Sequence, residues 1–219
     1  MRVSFTAPAA VLALVLGACE RVPTAVLPGP ATDGIPGNTA PVVDNFVGST
    51  ILVGETWSLT GTFVDPEPDE WTATATYGDG PAEPVPVSGQ TFFLSHTYTA
   101  PGSYGVTVTV TDDEGGSGST GAVVDVLTPS QGASALANSL DDRIVTGELI
   151  PEQVKSLQRT LFAVAGQLAD GKTGPALNKI DTVENRLGNW ARGGRISAGT
   201  RDELVAELNR LRAAIAFAG

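Results

Sequence analysis

The sequence contains one cysteine, one histidine and one methionine in 219 residues. A single thiol excludes an intramolecular disulfide framework and a cysteine-rich zinc site, and a single imidazole excludes a multi-histidine metal centre. Positive charge is also scarce, with Lys+Arg 13 against Asp+Glu 24 and a formal net charge of −11. Nucleic acid is therefore not an expected partner, because phosphates need a cationic footprint. The one long apolar run lies before Cys19, and it is too short and alanine-rich for a lasting transmembrane helix of about 20 apolar residues. What the chain does have is 42% hydrophobic residues, enough for a core, and 26 Gly with 15 Pro, which predict frequent turns. The length suggests one or two domains.

The N-terminus reads as an address. MRVSFTAPAAVLALVLGACE carries one cation, Arg2, then an apolar run to Ala18, then the only cysteine. This is the layout of an export signal. Leu16-Gly17-Ala18-Cys19 resembles a bacterial lipobox. The resemblance implies a lipoprotein-type signal peptide over 1–18, cleaved before Cys19, which then carries lipid on its sulfur and amino group. Several acyl chains, at about 0.8 kcal/mol per buried CH₂, give durable membrane anchoring. The alternative is a plain secretory signal with a chance cysteine. Glu20, rather than Asp, favours the outer membrane. The expected location is the bacterial cell envelope, facing the periplasm or the exterior. Residues 20–40 hold four prolines and no periodic apolar pattern, so 19–40 is expected to be a lipidated N-terminus and flexible tether.

From 41 to 128 short strands alternate with turn chemistry. Glu55 to Val64 is β-branched and aromatic. Glu70 to Tyr77 alternates with period two, placing Trp71, Ala73, Ala75 and Tyr77 on one face and the threonines on the other. Thr91 to Thr99 and Ser103 to Thr111 flank the turn Ala100-Pro101-Gly102, and Tyr104, Val106, Val108 and Val110 share a face. Ala122 to Leu127 closes the set. About six strands in such a length suit an immunoglobulin-like antiparallel β-sandwich.

Tyr77-Gly78-Asp79-Gly80, His96-Thr97-Tyr98, Pro101-Gly102-Ser103-Tyr104 and the run Val106 to Asp112 resemble a PKD domain. Ala75-Thr76-Tyr77 stands where that family often has Trp-Asp-Phe. The resemblance implies a noncatalytic, extracytoplasmic sandwich used for spacing, adhesion or substrate contact. Within it His96 reads as a structural histidine bonding a turn or the backbone, and Ser95 beside it points to the opposite face. The acidic loops Asp65-Pro66-Glu67-Pro68-Asp69-Glu70 and Asp112-Asp113-Glu114 offer hard oxygen ligands, so Asp65, Asp69, Asp112 and Asp113 are calcium candidates. Neither run has EF-hand spacing, and a solvated acidic surface is the competing account. Trp71, Tyr77 and Tyr98 are aromatic ligand-binding candidates, with core packing as the competing role.

After Pro129-Ser130-Gln131-Gly132, read as a linker over 129–132, the pattern becomes helical. Leu136, Leu140, Ile144 and Val145 mark one helix. Pro151 opens a second, with Val154, Leu157, Leu161, Ala165 and Leu168 on a stripe. Pro175 opens a third, with Leu177, Ile180, Leu187 and Trp190. Thr200-Arg201-Asp202-Glu203 reads as a capping box before Leu204, Leu208, Leu211 and Ile215. Four amphipathic helices over 133–219 predict a small bundle. Leu168 to Lys172, Ala176 to Ile180 and Arg195-Ile196-Ser197 resemble a FIMAH domain, a helical module at the C-terminus of bacterial surface proteins. Asn178 in that motif is expected to bond a helix end or a loop.

Charge divides with the domains. Residues 20–132 carry 14 acidic and 1 basic side chain, and 133–219 carry 10 acidic and 11 basic. The helices are thus free to lean on an acidic partner, their own sandwich included. Arg186, Arg192, Arg195 and Arg201 gather near one helix–loop–helix junction, as a solvated surface or as a contact for anionic glycan or lipid headgroups. No nucleophile–base set, phosphate loop or paired metal ligands appear in the sequence, so no enzyme is expected. The reading is a lipid-anchored binding or adhesion protein for polysaccharide or protein. A hydrolase accessory subunit or small orphan enzyme, and a purely structural spacer, are the alternatives.

Overall fold

The computed structural model describes residues 37–67 and 70–219. Cys19, most of the tether and Asp69 lie outside them. Nine strands come first: β1 (Val42–Val43), β2 (Thr50–Leu52), β3 (Thr56–Val64), β4 (Trp71–Thr76), β5 (Glu83–Val85), β6 (Val87–Ser88), β7 (Thr91–Thr97), β8 (Gly102–Asp112) and β9 (Ser117–Leu127). They form two sheets, ordered β1-β3-β7-β6 and β2-β9-β8-β4-β5. All pairings are antiparallel except β2 with β9, which is parallel.

The period-two pattern places the core where it was expected. Ala73, Ala75 and Tyr77 point inward, as do Val106, Val108 and Val110, and they meet Phe63, Phe92 and Leu94 of the facing sheet. The threonines between them face out. β9 begins five residues before Ala122, in a Gly/Ser-rich stretch outside the strand expected from the sequence. A Cβ on Gly118 would lie 1.9 Å from the Pro41 carbonyl oxygen. Glycine here permits a crossing segment to touch the strand, so its presence marks close packing and not a chain break.

Five helices follow: α1 (Pro129–Ser139), α2 (Asp142–Val145), α3 (Pro151–Ala169), α4 (Thr173–Arg192) and α5 (Ala198–Ala218). Three expectations need correction. Residues 129–132 are not a linker but the first turn of α1, capped by Thr128, whose Oγ1 accepts from Gln131 N–H at 3.1 Å while Gln131 Oε1 accepts from Thr128 N–H at 2.8 Å. The first expected helix is two, because the chain turns at Leu140-Asp141, and Val145 is exposed. The cap of α5 is Ser197, whose Oγ accepts from Thr200 N–H at 2.9 Å, so Thr200 is a buried residue of the first turn. The stripes themselves hold: Val154, Leu157, Leu161, Ile180, Val183, Leu187, Leu204, Leu208 and Leu211 are buried together. Among the described residues no helix is long and apolar enough to cross a membrane.

Substituting Gly118→Ala should lower stability by about 1–3 kcal/mol through overpacking. Urea unfolding followed by fluorescence measures this; an unchanged midpoint would show that the chain at Pro41 does not touch β9 there.

Candidate functional site

The PKD-like motif residues converge at one end of the sandwich. β7 carries the His96 ring, which stacks on Tyr77 (centroids 4.3 Å, 10°) and meets Tyr98 edge-on at 4.7 Å, and Tyr98 stacks on Tyr104 at 4.4 Å. His96 Nε2 lies 2.8 Å from Asp79 Oδ2 in the Gly-Asp-Gly turn. Tyr98 O–H donates to the Tyr77 carbonyl at 3.0 Å, and Tyr104 O–H donates to the Ala100 carbonyl at 2.9 Å. The cluster ties the 77–80 turn to the 98–104 turn. Tyr98 is fully buried and its hydroxyl is pushed up to about 12, first by burial and then by Asp79 and the neighbouring tyrosines. Burial also raises Tyr77. His96 is thus a structural group bonded to a turn.

The aromatic ligand-binding candidates turn inward. Tyr77 and Tyr98 are core residues. Trp71 packs edge-on against Phe63 at 5.4 Å, and its indole N–H donates to Asp65 Oδ2 at 2.9 Å. Tyr77 and Tyr98 present no platform to solvent, and Trp71 is partly buried against the core.

The calcium candidates that the structure describes are engaged by protein partners or exposed. Asp65 and Asp112 are buried at the opposite end of the sandwich. Asp65 accepts from Trp71 and from the Glu67 N–H, and Asp112 accepts from Gly116 N–H at 2.7 Å and Asn38 Nδ2 at 2.8 Å. Asp113 is exposed, and Asp69 lies outside the described residues. Among the described residues no group of three or more His, Cys, Asp or Glu side chains is arranged to hold a metal ion. Asp65 and Asp112 close turns, and these hydrogen bonds offset the cost of burying their carboxyl groups.

The charge split left the helices free to lean on the sandwich, but sequence reasoning missed the residues that form the junction. Leu52, the last residue of β2, lies against α1, and Gly54 in the turn that follows lies against α5. The side chain of Leu52 occupies the space above Gly132, 2.3 Å from where a Cβ would stand, and the Phe217 ring covers Gly54, whose φ of +83° suits glycine. The sandwich core and the helical core form one continuous apolar cluster through these contacts. A bidentate pair closes the seam: Arg210 Nε donates to Glu55 Oε1 at 2.8 Å and Nη2 to Oε2 at 2.9 Å. Glu55 also accepts from Leu52 N–H at 2.8 Å. Burial alone would raise the Glu55 carboxyl, but the Arg210 and Leu52 hydrogen bonds and the guanidinium charge hold it below the ordinary range. Glu55, first by hydrogen bonding, raises Arg210 in turn. Beside the seam opens a cleft of about 260 Å³ lined by Ile51, Leu127, Ala135, Leu136, Arg143 and Arg210. Arg143 is itself held by Glu148 and Glu203.

Elsewhere in the helices the arginine group is mostly engaged. Arg186 Nη1 donates to the Ser156 carbonyl at 3.1 Å and to Ser156 Oγ at 2.9 Å, Arg192 pairs with Asn189, and Arg201 pairs with Asp202. Asn178 does not bond a helix end: its side chain is exposed on α4, and its carbonyl accepts from Thr182 Oγ1 at 2.9 Å.

The comparisons agree with this architecture. Residues 38–126 match the PKD domain model, and residues 133–213 match the FIMAH domain model. The chain therefore carries a PKD domain followed by a FIMAH domain, and this pair fits a noncatalytic binding or adhesion role. Among solved structures it is similar to the PKD domain of an M14-like peptidase from a Thermoplasmatales archaeon (26% identity, 41% of this chain and 95% of that chain, TM-score 0.31). It is also similar to the PKD1 domain of Vibrio anguillarum Epp (26%, 41% and 95%, 0.26) and to a structure of carbohydrate-binding modules from the β-sandwich superfamily (26%, 41% and 35%, 0.32). No curated protein matches the chain.

Two tests address this end of the molecule. Because Tyr98 is raised in the folded state, the unfolded chain loses the proton first, so stability falls as pH rises from about 10 towards 12. Tyr98→Phe removes that component, which chemical denaturation at stepped pH resolves. For the seam, a double-mutant cycle on Glu55→Gln and Arg210→Ala should give a coupling of about 0.5–1 kcal/mol, kept small by solvent because Arg210 is 45% exposed. The lowered Glu55 carboxyl makes that contribution complete above the ordinary value of 4.5 and lost as pH falls through the lower folded value.

Proposed function

We propose that the chain is a noncatalytic lipoprotein of the bacterial cell envelope that binds polysaccharide or protein. On this reading Cys19 carries lipid, residues 19–40 are the tether, the PKD domain is a spacer with binding faces, and the FIMAH domain is held at its far end. The Leu16-Gly17-Ala18-Cys19 motif supports the anchor, and Glu20 supports the outer membrane. The observation that carries the reading is the opposition of the two ends of the sandwich. Asn38, at the tether side, bonds Asp112, the last residue of β8, whereas Gly102 at the other end of β8 pairs with Val126 beside α1. Eleven residues of strand, at about 3.3 Å each, separate the Asn38 end from the helices by roughly 35 Å.

Polysaccharide is supported by the outward sheet faces. Thr72, Thr111 and Ser117 lie abreast across β4, β8 and β9, and Thr74, Thr109 and Ser119 form the next row. Hydroxyls both donate and accept, as sugar hydroxyls do. No Lys or Arg occurs in 41–128.

In cells given labelled palmitate, the full-length chain should take up label and sediment with membranes, and Cys19→Ser should do neither and should remain an unprocessed precursor. A Cys19→Ser chain that is processed normally and still sediments would sink the anchor. A pull-down of insoluble envelope polysaccharides should retain the full chain; if none retains it while the anchor stands, the molecule is a spacer.

A further inference from the structure

We infer that a pocket in the helical domain is a binding site for a neutral pyranose ring of a polysaccharide; this names a site for the polysaccharide reading above and rests on it. The pocket, about 490 Å³, lies between the start of α3, the end of α4 and the turn before α5, and is lined by Ile150, Glu152, Gln153, Ser156, Trp190 and Arg195. Its size falls within the range of small-ligand sites, roughly 300–1,000 Å³.

The pocket is held in shape by the chain itself. Gln153 is only 6% exposed and joins two segments: its Oε1 accepts from Ile150 N–H at 2.9 Å, and its Nε2 donates to the Arg195 carbonyl at 3.3 Å. Arg195 N–H in turn donates to the Trp190 carbonyl at 2.8 Å, after Gly194 turns the chain at φ +67°. The backbone that carries Arg195 is thereby fixed beside the half-buried indole of Trp190. On the opposite wall Ser156 Oγ accepts from Arg186, which leaves the serine proton to donate. Ile150 is 57% exposed at the rim, a large apolar side chain left uncovered next to the indole.

The chemistry selects the ligand. Arg186, Arg192 and Arg201 are engaged with Ser156, Asn189 and Asp202, while the Arg195 guanidinium has no protein acceptor among the described residues. The pocket thus offers one guanidinium, one carboxylate from Glu152 and one hydroxyl. This is a net-neutral set of donors and acceptors. Vicinal hydroxyls need both kinds of partner, and the C–H face of a pyranose needs an aromatic or aliphatic wall, which Trp190 and Ile150 supply. A carboxylate or phosphate would meet Arg195 but also the Glu152 charge, so an anionic sugar or lipid headgroup fits less well.

The full chain, ¹⁵N-labelled, is titrated with cello-, manno- and xylo-oligosaccharides, with oligogalacturonate as the acidic probe and a mixed acidic peptide pool as the protein probe. Binding is measured by calorimetry and by the three indole N–H resonances, assigned through Trp→Phe substitutions. At least one neutral oligosaccharide should bind and shift the Trp190 resonance while leaving those of Trp57 and Trp71 in place. Trp190→Ala and Arg195→Ala should each weaken it about tenfold or more, whereas Arg192→Ala should not. Trp190→Phe keeps an aromatic wall and guards against loss of fold, which circular dichroism checks for every variant. Neutral binding that survives Trp190→Ala and Arg195→Ala would remove the site while leaving the polysaccharide reading intact elsewhere on the surface. Binding of oligogalacturonate or the acidic peptides alone would make it an anion site and overturn the inference. A chain that binds none of the probes defeats the site and the polysaccharide reading together.

Discussion

Where Leu52 packs over Gly132 and Phe217 lies across Gly54, the apolar interior of the sandwich runs without a break into that of the helices. Water must leave both surfaces for either domain to rest there, at roughly 25 cal/mol for each Å² of apolar area. The Glu55–Arg210 pair adds direction to that non-directional attraction, since a fork of two parallel hydrogen bonds tolerates little rotation. Between the last residue of β9, Leu127, and the first of α1, Pro129, stands only Thr128, and its side chain is already the helix cap. A swivel has no residues in which to occur. Two modules that composition separates sharply are therefore mechanically one object.

The same logic explains the motif that marks the sandwich. Its histidine, aspartate and three tyrosines are dispersed over nearly thirty positions, yet they stack into one block that ties two turns together beside the junction. Gly54 N–H donates to the Tyr98 carbonyl at 3.0 Å, so the block also holds the turn on which Phe217 rests. Residues that look available for ligand binding are needed for the helices to have a firm base.

Much of the fold was legible because burial imposes a period. Ala73, Ala75, Val106, Val108 and Val110 alternate with threonine, and Leu157, Leu161, Leu204, Leu208 and Leu211 recur at helical spacing, and each went where its period required. Two-residue strands such as β1 and β6 are too short to show a period. The first half of β9 was hidden because glycine, usually a breaker, was there to admit the Pro41 carbonyl. Ser197 was passed over as the cap of α5 because Thr200-Arg201-Asp202-Glu203 has the same chemistry three residues later, and only burial decides between them. The site was less legible. Glu55 and Arg210 are 155 positions apart, and neither stands in a motif. Trp190 read as one more stripe residue and Arg195 as one arginine of four; their adjacency depends on a buried glutamine 42 positions away.

Charge differs sharply between the two parts of the molecule. The span 41–128 carries twelve carboxylates and no Lys or Arg, while the helices hold nearly equal numbers of both signs. On the lipoprotein reading this acidic body is tied by some twenty residues to a bilayer, which repels it wherever the lipid headgroups are anionic. Like charges repel over about 8 Å at physiological ionic strength, so the field cannot lift the body far, but it removes the reward for lying flat. A rigid sandwich that gains nothing from collapsing onto lipid samples upright orientations, and a junction without a swivel carries that orientation to the helices. On that reading the acidity and the seam would work on one outcome, holding the end of the molecule that bears Trp190 and Arg195 away from the lipid.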